Sequence, residues 1–213
     1  PGHMAKTKKQ IIEDLKIIDI VIELLDARIP ISSQNPNIAE ITKGKKKIIV
    51  LNKSDLADEK ENQKWIEHFK KQGIRAVLTD SNTGKGINEF VKSIEEEMQQ
   101  EKEKQAEKGR IGSKIKAMIL GIPNVGKSSL INRIAKKTSA GVGNKPGVTK
   151  QKQWIRVNEK IELLDTPGVL WPKFESEEVA LHLAFTGTIK EEILDRVETV
   201  SYTHLTLPTI LRV

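Results

Sequence analysis

The sequence predicts an α/β protein with a mostly parallel, six-stranded sheet flanked by helices. Three observations support this fold class. Short apolar runs alternate with amphipathic segments along the chain. The run IVIELLD at 20–26 is almost continuously apolar, as in strands that are buried on both faces. The glycine-rich loop GIPNVGKSS at 121–129 lies between an apolar run and a predicted helix.

In the first half of the chain the pattern predicts three helices and three strands. The strands are IDIVIELLD, KKIIVLN and IRAVL. The helices are indicated by apolar residues at helical spacing: Ile11, Ile12, Leu15 and Ile18; then Trp65, Ile66 and Phe69; then Ile87, Phe90, Val91, Ile94 and Met98.

The second half begins after a charged, repetitive stretch at 97–114, which we interpret as a solvated helix end and a linker. The strand IKAMILG leads into the glycine-rich loop, and a helix follows. After a stretch at 138–150 that is rich in Gly, Pro, Ser and Thr come the strands QWIRV and KIELLD, and a helix is predicted over 176–197. The tail 199–213 loses Lys and Glu and gains Thr, Leu and Tyr, so we expect it to lie outside the fold and to be foreign or frame-shifted sequence.

The amino-acid composition excludes several kinds of site and several classes of protein. The 213 residues contain no Cys, which excludes disulfides, thiolate zinc sites and Cys nucleophiles and suits a reducing cytosol. No apolar run is long enough for a membrane span, and the first twenty residues do not resemble a signal peptide. The net charge is +7, and residues 127–160 hold nine Lys or Arg against the single acid Glu159. Such a basic segment attracts phosphate of a nucleotide or of RNA, although a solvated lysine-rich surface would have the same composition.

The glycine-rich loop fits the phosphate-binding pattern G-x-x-x-x-G-K-[ST]. Its backbone N–H groups can surround phosphates, and the positive end of the following helix points at the same anion. We expect Lys127 to reach the β and γ phosphates and Ser128 to bind Mg²⁺. The residues predicted to contact phosphate are Gly121, Asn124, Val125, Gly126, Lys127, Ser128, Ser129 and, further on, Gly168.

Two later segments predict the remaining phosphate and metal contacts. In DTPG, Asp165 can hold Mg²⁺ through water, and the Gly168 N–H can contact a γ-phosphate. In KPGVTK, Thr149 stands where a second Mg²⁺ ligand is expected, ordered only by the γ-phosphate. The alternatives are an ordinary Pro-Gly turn and a plain surface threonine.

The first half of the chain predicts the base contacts. In NKSD, Asp55 can accept hydrogen bonds from both N–H groups of guanine, a pair that adenine lacks. Lys53 can lie along the phosphate loop, and Asn52 can tie this segment to it. In TDSNTGKG, Ser81 and Asn82 are expected to touch the base from the side. The predicted substrate is therefore GTP.

The base contacts precede the phosphate contacts, so the two halves of a GTP site occur in swapped order. In this the chain resembles the circularly permuted GTPases, a P-loop GTPase fold with permuted motif order. The resemblance rests on PGHMAK, DARIP, NKSD, GIPNVGKSSLINR, PGVT, LLDTPG and LWPKF. These segments extend from residue 1 to about residue 190. The stretch 97–114 would join the permuted halves, since the termini of a domain often lie close together.

The resemblance also implies a catalytic residue. Many GTPases orient the attacking water with a Gln after DTPG, but here that position is Val169, which cannot do so. In the family the histidine of the PGHM motif takes this role, which is His3 here. The other histidines, His68, His182 and His204, stay open as alternatives. The resemblance further implies that Asn124 helps to coordinate K⁺, and the alternative is a simple turn residue.

The resemblance implies partners as well. We expect a cytoplasmic factor for assembly of the large (50S) ribosomal subunit that contacts rRNA and is a monomer away from the ribosome. Residues 1–198 would form the GTPase domain, and the helical RNA-binding domain that follows it in the family would be missing. Two alternatives remain: a GTP-gated rRNA-binding module, and a related permuted GTPase of the small subunit. The latter proteins typically carry OB-fold or zinc modules at the N-terminus.

Overall fold

A computed structural model of the chain describes residues 2–109, 112–138, 153–168 and 176–189. Six strands form a single sheet: β1 (Ile20–Asp26), β2 (Lys46–Asn52), β3 (Arg75–Thr79), β4 (Ile115–Gly121), β5 (Gln153–Arg156) and β6 (Ile161–Asp165). The helices are α1 (Gly2–Leu15), α2 (Pro36–Ile41), α3 (Glu59–Lys71), α4 (Ile87–Glu107), α5 (Lys127–Thr138) and α6 (Glu177–Phe185). A short 3₁₀ turn, Ser54–Leu56, follows β2.

The strand order is β3-β2-β1-β4-β6-β5, and every neighbouring pair is parallel except β5 and β6. The strands begin with β1 at the centre of the sheet, move outward to β3, return to β4 beside β1, pass to the opposite edge at β5, and come back to β6 between β4 and β5. The order therefore reverses between β1 and β4. In open α/β sheets ligands bind beyond the carboxyl ends of the strands at such a reversal.

The core lies on both faces of the sheet. On one face, α4 and α5 cover strand residues such as Ile22, Val50 and Ile119. On the other face, α1 packs over Val21 and Met118 in β1 and β4. The remaining part of that face carries Phe69 of α3 over the ends of β1 and β2. Burial on both faces explains why the central strands are apolar without alternation.

The six predicted strands are all present at the expected segments, and the fold class is confirmed. The helix indicated by Ile11, Ile12 and Leu15 is present as α1, but Ile12 is 44% exposed, because Ile11 and Leu15 form the face of α1 that meets the sheet. The predicted helix over 176–197 is described only as α6, which ends at Phe185. Of the stretch 97–114, α4 includes the part up to Glu107.

No helix in the four described ranges has the length and apolar character that crossing a bilayer would require. The tail 199–213 lies outside these ranges.

The start of α4 depends on Gly86, and we predict that its substitution is costly. Gly86 has φ +81°, and a Cβ at this position would clash with the carbonyl oxygen of Leu78 in β3. We expect Gly86→Ala to lower the free energy of unfolding by roughly 3 kcal/mol, measured by urea denaturation.

Gly44 is a matched control, because it has the same φ of +81° but no atom within 4 Å of the added Cβ. Gly44→Ala should cost about 1 kcal/mol, which is the backbone strain alone. Equal losses in the two variants would contradict the role assigned to the Leu78 contact.

Candidate functional site

Polar residues gather where the central strands end. Asp26 and Asn52 are the last residues of β1 and β2 and lie opposite each other in the register. On the other side of β1, Leu24 lies opposite Gly121, the last residue of β4. Asp165 ends β6, opposite Ile119 of β4. The parallel strands thus bring residues from both halves of the chain to one edge of the sheet.

An open cavity of about 420 Å³ lies at this edge. Its lining comes from the loop after β4 and from the first turn of α5. The NKSD and DTPG segments contribute one residue each. The lining residues are Lys53, Ile122, Pro123, Asn124, Gly126, Lys127, Ser128, Ser129 and Gly168. Six of the eight residues that the sequence predicts as phosphate contacts therefore line one cavity, together with the lysine of NKSD.

The loop after β4 is held close to the end of β2. Gly126 has φ +96°, and a Cβ there would clash with the amide nitrogen of Asn52. Only glycine accepts both this conformation and this close approach. Val125 points its side chain into the core, where it is fully buried, and its backbone faces Asn52. The remaining predicted loop residue, Gly121, packs against the Leu24 carbonyl.

Asn52 provides the link between the two halves. Its Nδ2 donates to the Val125 carbonyl at 2.9 Å. Its Oδ1 accepts from Thr79 Oγ1 at 3.1 Å and from Ser81 Oγ at 2.7 Å. The expected tie between the NKSD segment and the loop is thus present, and three hydrogen bonds fix the orientation of the Asn52 amide.

Lys53 forms a second link to the loop. Its Nζ donates to the Asn124 carbonyl at 2.7 Å and to Asp26 Oδ2 at 3.0 Å. The Lys53 side chain lies along the phosphate loop, as its sequence position predicts. Its backbone is left-handed, with φ 59° and ψ 34°.

The other residues that the sequence predicts as base contacts are Asp55, Ser81 and Asn82. Asp55 is exposed in the 3₁₀ turn, two residues after Lys53. Asn82 is also exposed, and its backbone N–H donates to Asp80 Oδ1 at 2.8 Å. The Ser81 hydroxyl is occupied by Asn52, so its contact with a base stays a prediction.

At the opposite end of the cavity, Lys127 meets Asp165. Lys127 Nζ donates to Asp165 Oδ1 at 2.7 Å and also to the Thr166 carbonyl. Lys127 is 8% exposed and Asp165 is fully buried. The Thr166 hydroxyl donates to the Ile119 carbonyl at 2.8 Å, which ties the segment after β6 to β4.

The residues at this end fit a magnesium ion. Ser128 lines the cavity beside Lys127, and Asp165 ends the neighbouring strand, so hydroxyl and carboxylate oxygens are both at hand. Mg²⁺ in nucleotide sites takes one or two such ligands together with phosphate oxygens and water. Thr149, the third predicted ligand, lies outside the described residues.

Asn124 connects the loop to α6. Its backbone is left-handed with φ 62°, and its Nδ2 donates to the Gly187 carbonyl at 2.9 Å. Gly187 lies just beyond the end of α6. The DTPG segment is also packed against the loop, because a Cβ on Gly168 would come within 3.1 Å of the Pro123 nitrogen.

Asp26 and Arg28 also lie at this edge of the sheet, and no role for them was predicted from the sequence. Arg28 donates to Asp26 through Nε at 2.9 Å and through Nη2 at 2.7 Å. Burial alone would raise the pKa of the Asp26 carboxyl, but the Arg28 hydrogen bonds and the Lys53 charge outweigh it, so the pKa is lowered. The hydrogen bond to Asp26 raises the pKa of Arg28, and the charge of Asp55 adds to this. The signal in the sequence is a pair of charges directly after a buried strand.

Among the four histidines, the side chain of His3 lies outside the described residues, although its backbone belongs to α1. His204 and Val169 also lie outside them. His68 packs edge-on against Trp65 and Phe69 within α3.

His182 of α6 shares a hydrogen bond of 2.6 Å between its Nδ1 and the Ser32 hydroxyl. Burial lowers the pKa of His182, although the charge of Glu178 opposes this. A buried imidazole that already holds a hydroxyl partner has the features of a structural residue.

Comparison with known proteins identifies the family of the chain. A family model described as 50S ribosome-binding GTPase matches residues 116–206. The chain is 49% identical over 202 residues to ribosome biogenesis GTPase A of Bacillus pumilus, covering 95% of this chain and 72% of that protein. It is 52% identical over 203 residues to the protein of the same name from Priestia megaterium, covering 95% and 70%.

A solved structure has the same fold. The crystal structure of GNP-bound YlqF from T. maritima superposes with a TM-score of 0.67 at 30% identity, covering 93% of this chain and 73% of that chain. The permuted order of the motifs, the phosphate loop at the centre of the sheet and the identity to these relatives lead to one conclusion. The chain belongs to the ribosome biogenesis GTPase A family of circularly permuted GTPases.

Proposed function

We propose that this chain binds and hydrolyses GTP in the assembly of the large ribosomal subunit. One observation carries the nucleotide part of the proposal. The NKSD segment and the phosphate loop are separated by about seventy residues, yet Asn52 and Lys53 bond directly to the carbonyls of Val125 and Asn124. A base-recognition segment and a phosphate-recognition loop therefore adjoin one cavity.

At the base end, Asp55 is the residue that selects guanine. Its carboxylate accepts from N1–H and N2–H of guanine, and adenine would leave it without donors. Asn52 and Lys53 hold the segment in place, and Ser81 and Asn82 approach the base from the next strand end. The position of Asp55 in the short turn directly after β2, two residues from Lys53 of the cavity lining, supports this assignment.

At the phosphate end, Lys127 binds the β and γ phosphates, and backbone N–H groups from Gly121 to Ser129 surround them. Gly168 contacts the γ-phosphate. Ser128, Thr149 and Asp165 hold Mg²⁺, which would neutralise phosphate charge when bound. The cavity lining and the buried Lys127–Asp165 pair support this arrangement.

Water activation is assigned to His3 because the resemblance to the permuted GTPases implies this role for the histidine of the PGHM motif, and Val169 cannot orient a water molecule. An imidazole can accept a proton or orient water near neutral pH. K⁺ is the additional cation that we assign to Asn124, whose left-handed backbone lies at the cavity wall. Residues 1–198 form the GTPase domain in this proposal, and 97–114 join its permuted halves.

The names of the relatives support the assembly role. Proteins that are 49% and 52% identical to this chain over the aligned residues are called ribosome biogenesis GTPase A, and the matching family model is named for binding the 50S ribosome. The basic segment 127–160 can contribute attraction to rRNA. We therefore assign the large subunit and its rRNA as partners, the cytoplasm as the location, and a monomer as the state away from the ribosome.

A second candidate function is a GTP-gated rRNA-binding module in which hydrolysis only resets the state. The contact from Asn124 to Gly187 favours it, because a residue of the phosphate loop then holds the chain just after α6. A ligand that moved Asn124 would release or shift the segment that follows.

We predict that Asp55→Asn weakens GTP binding about 100-fold. The substitution replaces an acceptor of two charge-assisted hydrogen bonds by an amide, a loss of about 3 kcal/mol. The amide can instead donate to the 2-carbonyl of xanthine, so binding of XTP should improve. Calorimetric titration with both nucleotides measures the change.

Asp58→Asn is the control for this variant. Asp58 is an exposed carboxylate three residues further on that caps α3 through the N–H groups of Lys60 and Glu61. Asn caps a helix equally well, so GTP affinity should stay within about twofold of wild type. If Asp55→Asn behaved like Asp58→Asn, the guanine assignment would be refuted.

We predict that large ribosomal subunits stimulate GTP hydrolysis and that His3→Ala removes most of this stimulation. General acid–base groups typically contribute a factor of about 100 or more, so the stimulated kcat should fall by about that factor while KM changes little. Phosphate release in Mg²⁺ and K⁺, with and without purified subunits, is the measurement.

His68→Ala is the matched control, because that imidazole packs within α3. It should keep the stimulated rate. Wild-type rates in His3→Ala would reassign the catalytic role, and a wild-type protein that purified large subunits do not stimulate would remove the assembly link.

The gating function predicts a difference in rRNA affinity between nucleotide states. We expect binding of large-subunit rRNA to differ at least fivefold between GDP and a non-hydrolysable GTP analogue, measured by filter binding. In Asn124→Ala, which cannot donate to Gly187, the difference should shrink. Equal affinities in the wild-type protein would exclude gating.

A further inference from the structure

Asp26 is a charged group that the proposed chemistry does not use. It ends β1 at the point where the strand order reverses, and it is fully buried. Its backbone N–H donates to the Ser33 hydroxyl at 3.0 Å. A carboxylate without solvent is strongly unfavourable unless cations and donors surround it, so its partners indicate what it does.

Two cations share this carboxylate. Arg28 binds both oxygens from two residues away, and its own backbone N–H also donates to Oδ1 at 3.1 Å. Lys53 comes from the end of the neighbouring strand and binds Oδ2 at 3.0 Å. Arg28, which is close in sequence, balances the charge of Asp26. Lys53, which is distant in sequence, is a residue of the proposed nucleotide site.

Lys53 has a strained backbone conformation, and its side chain binds a second residue with the same strain. Within the described ranges, Lys53 and Asn124 are the two residues other than glycine that have positive φ. The Lys53 ammonium donates to the Asn124 carbonyl, so these two left-handed residues are bonded to each other. Such strain persists where surrounding contacts over-determine the backbone, and it concentrates at functional sites.

We infer that Asp26 is a positioning residue of the nucleotide site. Its carboxylate anchors the Lys53 ammonium against the Asn124 carbonyl, and this fixes the base-recognition segment and the phosphate loop relative to each other. The inference rests on the proposed binding of guanine nucleotides. The competing explanation is that Asp26 serves only Arg28, which also reaches the Thr186 carbonyl at 3.4 Å.

The first test is Asp26→Asn, which keeps size and shape but removes the charge that holds Lys53. We expect the Kd for GDP carrying an N-methylanthraniloyl fluorophore to rise at least tenfold. KM for GTP should rise by a similar factor while kcat at saturating GTP stays within threefold. The preference for GTP over ATP should be unchanged, because Asp55 is intact.

Glu23→Gln is the matched control for a loss of stability. Glu23 belongs to the same strand, is 2% exposed, and pairs with a lysine of β2, Lys47, at 2.8 Å. It should melt at a lower temperature, as Asp26→Asn does, but bind the fluorescent GDP like wild type. A loss of affinity in both variants would attribute the effect to stability and overturn the inference.

A double-mutant cycle with Lys53→Met separates the two partners of Asp26. If Asp26 acts through Lys53, adding Asp26→Asn to Lys53→Met should weaken GDP binding by less than twofold further. Full additivity would contradict the inference.

Arg28→Gln tests the competing explanation and still applies if Asp26→Asn does not fold. It leaves the Asp26–Lys53 pair in place, so GDP affinity should stay within twofold of wild type. A tenfold loss would assign the role to Arg28. Wild-type protein that does not bind GDP would refute the proposed function, whereas tight binding by both wild type and Asp26→Asn would refute this inference alone.

Discussion

The hydrogen bond from Asn52 Nδ2 to the Val125 carbonyl is the contact on which the site depends, because it joins segments 73 positions apart. Two conditions make it possible. Gly126 carries no side chain where the amide lies, and hydroxyl donors on Thr79 and Ser81 hold the amide in one orientation. A buried amide with its acceptor and donor both satisfied is far more rigid than an exposed one. The base end and the phosphate end therefore keep a fixed distance.

The topology of the sheet explains why the swapped order of motifs does not disturb this geometry. The site uses the carboxyl ends of β1, β2, β4 and β6, and their positions depend on strand neighbours and not on chain order. The phosphate-loop strand β4 lies between β1 and β6, so each half of the chain contributes strands on one side of it. Breaking and rejoining the chain elsewhere leaves these pairings in place.

Most of the fold could be predicted from the sequence because buried parallel strands need apolar runs, and β1, β2, β4 and β6 are visible as such. The phosphate loop could be predicted because few sequences have glycines and a lysine at the spacing G-x-x-x-x-G-K. What could not be predicted depends on which side of an element faces the core: Ile12 fits a helical stripe but lies 44% exposed. Nor could the pairing of Asp26 with Lys53 be predicted, because it depends on the register of β1 and β2 across 27 residues.

The two lysines of the cavity are held by the same kind of contact at opposite ends. Lys53 binds a buried aspartate that ends β1 and a carbonyl of the phosphate loop, while Lys127 binds a buried aspartate that ends β6 and the Thr166 carbonyl. The consequences for a bound nucleotide differ. Under the proposed function the Lys53–Asp26 pair can persist when a nucleotide binds, because a neutral purine carries no charge that competes for Lys53. At the proposed site a triphosphate would compete for Lys127, and drawing Lys127 away would remove one positive charge from beside the buried Asp165 carboxylate. A divalent ion that enters with the nucleotide would replace that charge, which is a physical reason for an aspartate at this position.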